Sequence, residues 1–514
     1  MSDLRLAELV AALSLGVDLG FGQPMEHVLR QCVIALRLAE RLDLDEDERA
    51  VVYYTALLVN VGCHSDAHEQ AKWFGDDIAL KSGKYDSFDR PLRAAAAAVR
   101  LIGSGNPPLH RFRVGLEFAL TGRRDFSGMI AQHAAMAGRL ASELGLSDTV
   151  QHAVSSSYEQ WDGKGWPGLL GGESVPRAAR LAQLAEFVEV AHRLGGVEAA
   201  QVVATRRAGS QFDPALSALV QSDGEEIFFG LDDISTWEAV VDGEPALRIV
   251  LTEPEFDRAL TAIADFVDLK SPFTLGHARA VSALAAATGE QLGLPDADVV
   301  TLRRAGLVHD VGRLGVSNAI WDKPGPLGAA EWERVRLHPY FTERMLKQSD
   351  TLAPLAAIAL AHRERLDGCG YPRGLGGAAI SLPARIVGAA DAYRAMCEPR
   401  PYRDALAAEE AASELRADAA AGRLDVDVVA AVLAAAGHQV ARRRERPAGL
   451  TAREVDVLRL LARGLSNKEI AASLVITPKT ARNHVEHIYA KTGATTRVTA
   501  SLYAMQNGLL ADES

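Results

Sequence analysis

The sequence predicts an all-α protein that consists of two related helical blocks and a small helical unit at the C-terminus. Apolar residues recur at steps of three and four, as between Val28 and Ala39, and this is the spacing of one helical face. Alanine-rich stretches with few aromatic residues, such as Ala94 to Ala98, favour helix over strand. The third observation is that residues 1–220 and 255–440 carry matching polar residues.

Length and composition exclude several classes of protein. A chain of 514 residues is too long for one ordinary core, and 48% hydrophobic with 24% charged residues is typical of globular domains. No uncharged apolar run approaches the ~20 residues that span a bilayer. The four cysteines are widely spaced, so no disulfide framework is indicated. We therefore expect a cytoplasmic protein without a membrane partner.

The two blocks align with one change of register. Matched residue numbers differ by 250 over the first part of each block and by 205 over the second part. The change of register places an insertion in the first block, between Asn60 and His133. The pairs are His27 with His277, Asn60 with Asp310, His133 with His338, Asp162 with Asp367 and Trp166 with Tyr371.

Two short segments separate the three units. Residues 221–254 are interpreted as a linker or a short hairpin, because apolar and polar residues alternate from Ala246 to Val250. Residues 441–447 form a basic linker that includes the run Arg442 to Arg446. The third unit then covers residues 448–514. A net charge of −12 argues against general coating of nucleic acid by the whole chain, although a local basic face remains compatible with it.

The second block carries imidazoles and carboxylates within otherwise apolar helices. Such groups are buried only when they are paired or bound to a metal. A mixed nitrogen and oxygen shell suits iron, manganese, zinc or nickel, and one carboxylate can bridge two ions. We predict a site for one or two divalent ions. The candidate ligands are His277, His309, Asp310, His338, His362 and Asp391.

This block resembles the HD-GYP family of metal-dependent phosphohydrolases, which typically hydrolyse cyclic di-GMP. The resemblance covers about residues 255–440. It implies that the six residues bind metal, with Asp310 as the bridge and Arg313 beside it in the catalytic group. It also implies that Tyr371 lines the substrate pocket and that Arg400 and Arg403 contact phosphate. The matching segments are Leu307–Arg313, Asp322–Gly325, His338–Pro339, His362–Pro372, Ala390–Tyr393 and Arg400–Arg403.

The block departs from the family pattern at three places. The second of the family's paired histidines is Arg363, whose guanidinium cannot coordinate a metal. The family's lysine after the His-Asp pair is Arg313, which can still hold phosphate. The acid that a trinuclear site requires is replaced by Phe273. Binding of a metal and loss of hydrolysis are therefore compatible, and we leave hydrolytic activity open.

The first block lacks most of the corresponding ligands. Val59, Asn60, Ser157 and Glu186 take the positions of His309, Asp310, His362 and Asp391. We therefore predict a degenerate HD-type domain without the family's metal. A polar cluster nearby is explained by either a helix end or a private metal site, and its residues are Cys63, His64, Asp66, His68 and Glu69.

The C-terminal unit has complete helix-start signals. Thr451 and Glu454 form a capping box, and Pro478 follows a threonine cap. Residues 450–510 closely resemble LuxR-type helix-turn-helix domains, which have four helices. The resemblance implies binding of double-stranded DNA as a homodimer, with the third helix in the major groove. The outward side chains near the start of this helix are Lys479, Thr480, Arg482 and Asn483.

Two functional hypotheses and one without activity follow. The first is a DNA-binding regulator of the LuxR type whose HD-GYP-like domain binds or hydrolyses a cyclic dinucleotide such as cyclic di-GMP. The second is a metal-dependent phosphodiesterase whose helix-turn-helix only localises it. The third is an inactive helical scaffold. Arg363 favours the first hypothesis over the second, because the substrate-binding residues persist where metal ligation is impaired.

Overall fold

The computed structural model describes residues 4–86, 100–103, 107–118, 123–246, 248–437 and 447–510. The all-α prediction is confirmed, since these residues form helices and only isolated β-bridges. The basic linker falls almost entirely outside the described residues. None of the described helices combines the length and the apolar character needed to cross a membrane. The chain divides into two compact units.

The first unit comprises residues 1–259 and 314–319. Short 3-10 helices at Val61–His64 and Gly172–Ser174 connect its longer helices. These are α1 (Leu6–Gly20), α2 (His27–Arg41), α3 (Glu46–Leu58), α4 (Ala67–Phe74), α5 (Asp77–Asp86), α6 (Pro108–Glu117), α7 (Arg123–Glu143), α8 (Asp148–Ser155), α9 (Arg177–Arg207), α10 (Pro214–Phe228) and α11 (Thr236–Asp242).

Helix α1 is the centre of this unit. It is apolar almost all round and buried along nearly its whole length, as expected for a helix without a solvent face. It packs against α2, α3 and α11. Helix α9 contains a break, because Gly195 and Gly196 leave the helical conformation and Gly196 has a φ of 71°, which a residue with a side chain rarely adopts.

Residues 221–254 hold the end of α10 and the whole of α11 instead of a hairpin. Val240 is fully buried there. Glu244 accepts hydrogen bonds from Arg5 Nε at 3.0 Å and from Tyr54 Oη at 2.6 Å. Buried apolar and ionic contacts therefore make this segment part of the first unit, which the alternation of Ala246 to Val250 did not indicate.

The second unit comprises residues 260–313 and 320–514. Its chain contains further 3-10 turns at Val311–Gly315, Gly377–Ala379 and Pro447–Gly449. The helices after α11 are α12 (Glu253–Asp268), α13 (His277–Gln291), α14 (Asp296–Val308), α15 (Asn318–Trp321), α16 (Ala329–Arg336), α17 (His338–Leu346), α18 (Ala353–Ala361), α19 (Leu382–Cys397), α20 (Ala408–Ala420), α21 (Val426–Gly437), α22 (Ala452–Ala462), α23 (Asn467–Ser473), α24 (Pro478–Thr492) and α25 (Arg497–Gln506).

Each block contains an equivalent internal backbone contact, in addition to the corresponding helices. A Cβ on Gly62 would lie 1.9 Å from the carbonyl oxygen of His133, and a Cβ on Gly312 would lie 2.1 Å from that of His338. Both glycines therefore sit where only a hydrogen fits, beside corresponding histidines. In the first block the contact packs the chain after α3 against the backbone of His133. In the second block it packs the chain after α14 against the backbone of His338.

The C-terminal unit closes a core of its own. Thr451, Ser466, Thr477 and Thr496 each cap a helix by accepting a hydrogen bond from a backbone N–H three residues on. The capping box predicted at Thr451 is present. The core residues come from all four helices and their connections, and they are Leu450, Val455, Val457, Leu458, Leu461, Ile470, Ala471, Ala481, Val485, Ile488, Ala494, Ala500, Ala504 and Leu509.

We predict that Gly312→Ala destabilises the second block by about 1–3 kcal/mol, because overpacking against a backbone carbonyl forces the chain to shift. Gly325→Ala is the matched control, since nothing lies within 4 Å of its Cβ position, and it should change the free energy of unfolding by less than about 0.5 kcal/mol. Denaturant unfolding measures both values. Equal stabilities of the two variants would contradict the close contact.

Candidate functional site

Six side chains converge inside the second block. His277 and His338 are the first residues of α13 and α17, and His309 and His362 directly follow α14 and α18. Helix starts and ends thus point their side chains at one centre. Asp310 and Asp391 complete the set, and all six residues are at most 2% exposed. The structure therefore brings together every metal ligand that the sequence predicted.

The ligand atoms form three overlapping groups whose members lie within 4.8 Å of one another. Asp310 belongs to two of them, as a bridging carboxylate would. The distance from Asp310 Oδ1 to His338 Nε2 is 3.2 Å and to His362 Nε2 is 3.5 Å. The groups are His277 with His309 and Asp310, His309 with His362 and Asp391, and Asp310 with His338 and His362.

Three of the histidines are oriented in the same way. The Nδ1 atoms of His309, His338 and His362 each bond the carbonyl of the residue three positions earlier, at 2.5 to 2.8 Å. Since a carbonyl can only accept, Nδ1 carries the proton and Nε2 keeps its lone pair. Burial lowers the pKa of His309 and of His338 to about 4. Neutral imidazoles therefore present lone pairs to the centre.

The buried carboxylates make a cation necessary. Burial opposes ionisation of Asp310, whereas the Arg313 guanidinium, whose Nη1 lies 3.2 Å from Asp310 Oδ2, favours the charged carboxylate. Asp310 Oδ1 and the Nε2 atoms of His309 and His338 lack hydrogen-bond partners of suitable geometry. Acceptors that face one another at this distance repel unless a cation lies between them. The donor set therefore fits a divalent ion.

Arg363 competes with a second ion. Its Nε lies 3.1 Å from His362 Nε2, the lone pair that a metal would use. Its Nη2 lies 3.2 Å from Asp391 Oδ2. The guanidinium thus brings positive charge to two of the candidate ligands. Both groups that contain His362 are weakened by these contacts, whereas the group of His277, His309 and Asp310 is not contacted.

A carboxylate that the sequence did not reveal orients His277. Glu398 Oε2 lies 2.8 Å from His277 Nδ1, while Asp391 Oδ1 lies 3.2 Å from Nε2. Although burial opposes it, Glu398 and Asp391 raise the pKa of His277 to about 9. Burial also works against ionisation of Glu398, but His277 and Arg400 bring its pKa to about 2. Its position seven residues after Asp391, directly after the end of α19, was the available signal.

A cavity of about 660 Å³ lies beside this centre, a size typical of ligand pockets. Tyr371, Arg363 and Arg400 line it, as does Arg313, which stacks on Trp321 at 3.8 Å and reaches Asp310 Oδ2 at 3.2 Å. Aromatic side chains form much of the remaining wall. They are Phe273, Trp321, Trp332 and Tyr402.

Arg403 does not belong to the cavity wall. Its guanidinium donates to backbone carbonyls, including that of Met396 near the end of α19 at 3.0 Å and that of the neighbouring Asp404 at 2.9 Å. The neighbouring Arg400 lines the cavity and donates to Phe273 O at 2.6 Å and Glu398 Oε2 at 3.1 Å. The two arginines predicted to contact phosphate are therefore placed differently, and Arg403 anchors the backbone.

In the first block a lysine takes the position of the cation. Lys84 Nζ lies 2.6 Å from Glu186 Oε1 and 3.3 Å from Asn60 Oδ1, the counterparts of Asp391 and Asp310. Burial disfavours the charge of Glu186, but Lys84 holds its pKa below the usual value. Helix α5, which carries the lysine, lies between Asn60 and His133, the interval in which the first block is longer than the second. The degenerate site is therefore compensated internally.

The cluster that begins at Cys63 does not converge on one point. Cys63 Sγ lies 2.7 Å from Tyr158 Oη, and Asp66 Oδ2 lies 2.8 Å from His133 Nε2. Helix α4 starts directly after Asp66. Among the described residues, the groups with metal-ligand geometry all lie in the second block. The interpretation as a polar helix end is favoured.

The predicted DNA-contacting residues lie at the start of α24. Ala481, Val485 and Ile488 face the core, while Lys479, Arg482 and Asn483 are exposed and Thr480 is half-buried. Thr480 donates its backbone N–H to the Thr477 cap. Arg482 Nε is held 2.9 Å from Glu486 Oε1. The helix therefore presents its polar face to solvent, as a groove-binding helix requires.

Comparison with known families matches two segments. Residues 261–428 match the HD domain family, and residues 448–504 match the family described as bacterial regulatory proteins, luxR family. The first match contains all six candidate metal ligands. The second contains the capped helices and the exposed face of α24.

Characterised relatives include phosphodiesterases. The chain is 34% identical over 410 residues to the 3'3'-cGAMP-specific phosphodiesterase 3 of Vibrio cholerae, covering 79% of this chain and 89% of the relative. A cyclic di-GMP phosphodiesterase of Thermotoga maritima is 34% identical over 167 residues, 31% of this chain and 45% of that protein.

A solved structure is similar over most of the chain. The crystal structure of a cyclic GMP-AMP specific phosphodiesterase of V. cholerae has a TM-score of 0.60 and 30% identity, covering 85% of this chain and 98% of that chain. A match of this length includes most of both blocks.

We predict that bound metal resides in the second block only. Asp310→Ala should reduce the metal content of the purified full chain to well below one ion per molecule, because it removes the bridging carboxylate. Asn60→Ala, the change at the corresponding position of the first block, should leave the content unaltered, since Lys84 already balances Glu186. Elemental analysis of both variants measures this, and an ion retained at full occupancy in Asp310→Ala would contradict the assignment.

Proposed function

Because the chain belongs to the HD-GYP family of HD-domain phosphodiesterases, we propose that its second block binds or hydrolyses a cyclic dinucleotide such as cyclic di-GMP. We further propose that this event sets the DNA-binding state of the C-terminal unit. The observation that carries the proposal is the convergence of six buried ligands beside a cavity lined by arginines and aromatic rings. The chain therefore acts as a regulator that responds to a nucleotide.

The cavity wall suits a cyclic dinucleotide. Arg313 and Arg400 offer guanidinium groups to phosphates, which they can contact through two N–H groups at once. Trp332 and Tyr402 are partly exposed and present ring faces on which bases can stack. Relatives are named for 3'3'-cGAMP and for cyclic di-GMP, and both molecules pair two phosphodiesters with two purine bases.

The residues of the centre have defined roles in this proposal. His277, His309, Asp310 and Asp391 would hold one divalent ion, and Asp310, His338 and His362 would remain for a second. When bound, such an ion supplies electrostatic stabilisation of a phosphodiester and activation of water. Glu398 orients His277, as carboxylates commonly orient metal-binding histidines. Arg363 blocks the second position and is also placed to hold a substrate phosphate, which favours binding with slow turnover.

A second candidate is a phosphodiesterase whose helix-turn-helix only localises it. The intact first group of His277, His309 and Asp310 favours this candidate, because one ion already supplies Lewis acidity. The two candidates differ in turnover and in whether the nucleotide changes DNA binding. The effect of the nucleotide on DNA binding therefore discriminates them, because the first candidate also allows hydrolysis.

We expect Arg363→His to raise metal content from about one to two ions per chain and hydrolysis by about tenfold or more, since a restored ligand changes affinity and activity on this scale. Arg373→His is the matched control, because Arg373 pairs with Glu343 at the surface. Elemental analysis and product formation from cyclic di-GMP and 3'3'-cGAMP give the result. If the wild type already holds two ions and turns over as fast as Arg363→His, the phosphodiesterase candidate is favoured instead.

We expect Arg482→Ala to lose about 1–3 kcal/mol of binding free energy at one base position, because arginine reads base edges. Lys479→Ala should weaken cognate and scrambled DNA alike, as loss of a phosphate contact does. The C-terminal unit, residues 448–514, suits this measurement because its core is complete. Equal losses of Arg482→Ala on both DNA sequences would remove its base-reading role.

A further inference from the structure

One face of α25 is buried outside the core of the C-terminal unit. Ala500 and Ala504 contribute to that core, whereas Val498, Leu502 and Met505 do not. Nevertheless these three side chains are only 3 to 9% exposed. We call them the outer face of α25. An apolar face that does not contribute to the core of the C-terminal unit loses contact with water only when another segment covers it. Another part of the second compact unit therefore covers this face.

The cover includes the segment that precedes the first metal ligand. A Cβ on Gly276 would lie 3.5 Å from Met505 Cγ and 3.9 Å from Leu510 Cδ1. Gly276 has a φ of 77° and directly precedes His277, the first residue of α13. The contact therefore joins the C-terminal unit to the backbone that positions a ligand of the metal centre.

The same segment forms part of the cavity wall. Ser271, Phe273 and Thr274 line the cavity, and the carbonyl of Phe273 accepts a hydrogen bond from Arg400. Arg400 also pairs with Glu398, which bonds His277. Residues 271–276 thus touch the cavity and the metal centre on one side and the outer face of α25 on the other.

We propose that residues 271–276 couple occupancy of the cavity to docking of the C-terminal unit. A phosphate that enters the cavity competes with the Phe273 carbonyl for Arg400, and a charged acceptor forms the stronger hydrogen bond. Loss of this hydrogen bond allows residues 271–276 to move. Movement of Gly276 then removes the surface against which Met505 packs. Nucleotide binding and docking of the outer face therefore oppose each other, and the undocked C-terminal unit is, in this proposal, the form that binds DNA tightly.

Thermodynamic linkage makes the coupling reciprocal. If the nucleotide weakens docking, weakened docking strengthens nucleotide binding by the same factor. This inference rests on the proposed function, because it takes the cavity ligand to be a cyclic dinucleotide and the docked unit to bind DNA. It adds the segment and the contact through which the two sites communicate.

The contact is tested from both sides in the full-length protein. Met505→Ser removes the apolar side chain, and Gly276→Asn adds one at a left-handed position that asparagine tolerates. Val426→Ser is the matched control, because Val426 is exposed on α21. Hydrogen exchange of backbone amides 271–276 should be faster in the first two variants than in wild type and control. Equal exchange in all four proteins overturns the docking contact.

The coupling is tested by DNA binding with and without cyclic di-GMP or 3'3'-cGAMP. The nucleotide should tighten DNA binding by wild type and control about fivefold or more, whereas the two docking variants should bind tightly without it. A bound nucleotide that leaves the DNA affinity of wild type unchanged overturns the coupling. Failure of wild type to bind either nucleotide overturns the proposed function instead, and the exchange measurement then decides the docking contact by itself.

Discussion

A buried carboxylate needs a positive partner, and this constraint governs both blocks of the chain. In the second block Asp310 and Asp391 lie among imidazole lone pairs, an arrangement that suits a divalent ion. In the first block Glu186 lies beside Lys84. The free energy of leaving either charge buried alone would be large. The first block meets this requirement with Lys84, whereas the second block has a set of side chains that would suit a metal ion.

The scaffold around that requirement is retained more closely than the ligands. Gly62 and Gly312 make equivalent close contacts with the backbone of matched histidines, whereas the pair of His309 and Asp310 corresponds to valine and asparagine. Backbone packing tolerates no added atoms, so it persists in a block that no longer needs a metal. Loss of a ligand is tolerated where an insertion brings a new charge to the site.

Arg363 is a partial version of the same substitution. It contributes a guanidinium to Asp391 and occupies the lone pair of His362, so the second block retains the group of His277, His309 and Asp310, and the two groups that contain His362 are weakened. In the proposed function, such a centre favours binding over turnover. Residues 271–276 would then connect the cavity to α25.

Much of this molecule follows from local signals in the sequence. The helical periodicity, the threonine caps of the C-terminal unit and the spacing of the six ligands depend on neighbouring residues and on a repeated pattern, so they predicted the all-α fold and the ligands that meet. Residues 221–254 were misjudged, because burial by distant residues such as Arg5 selects helix there.

Other features arise only when distant segments meet. Nothing in the sequence around Lys84 indicates that its ammonium group lies beside Glu186, about one hundred residues further along the chain. Arg403 lies in a motif that implies phosphate binding, yet nearby carbonyls claim its guanidinium. The packing of Met505 beside Gly276 likewise joins residues that are far apart in the chain. The sequence by itself determined the helices and the candidate ligands. Tertiary structure decided which charged group lies beside each buried carboxylate, because charge compensation depends on distance in space and not along the chain.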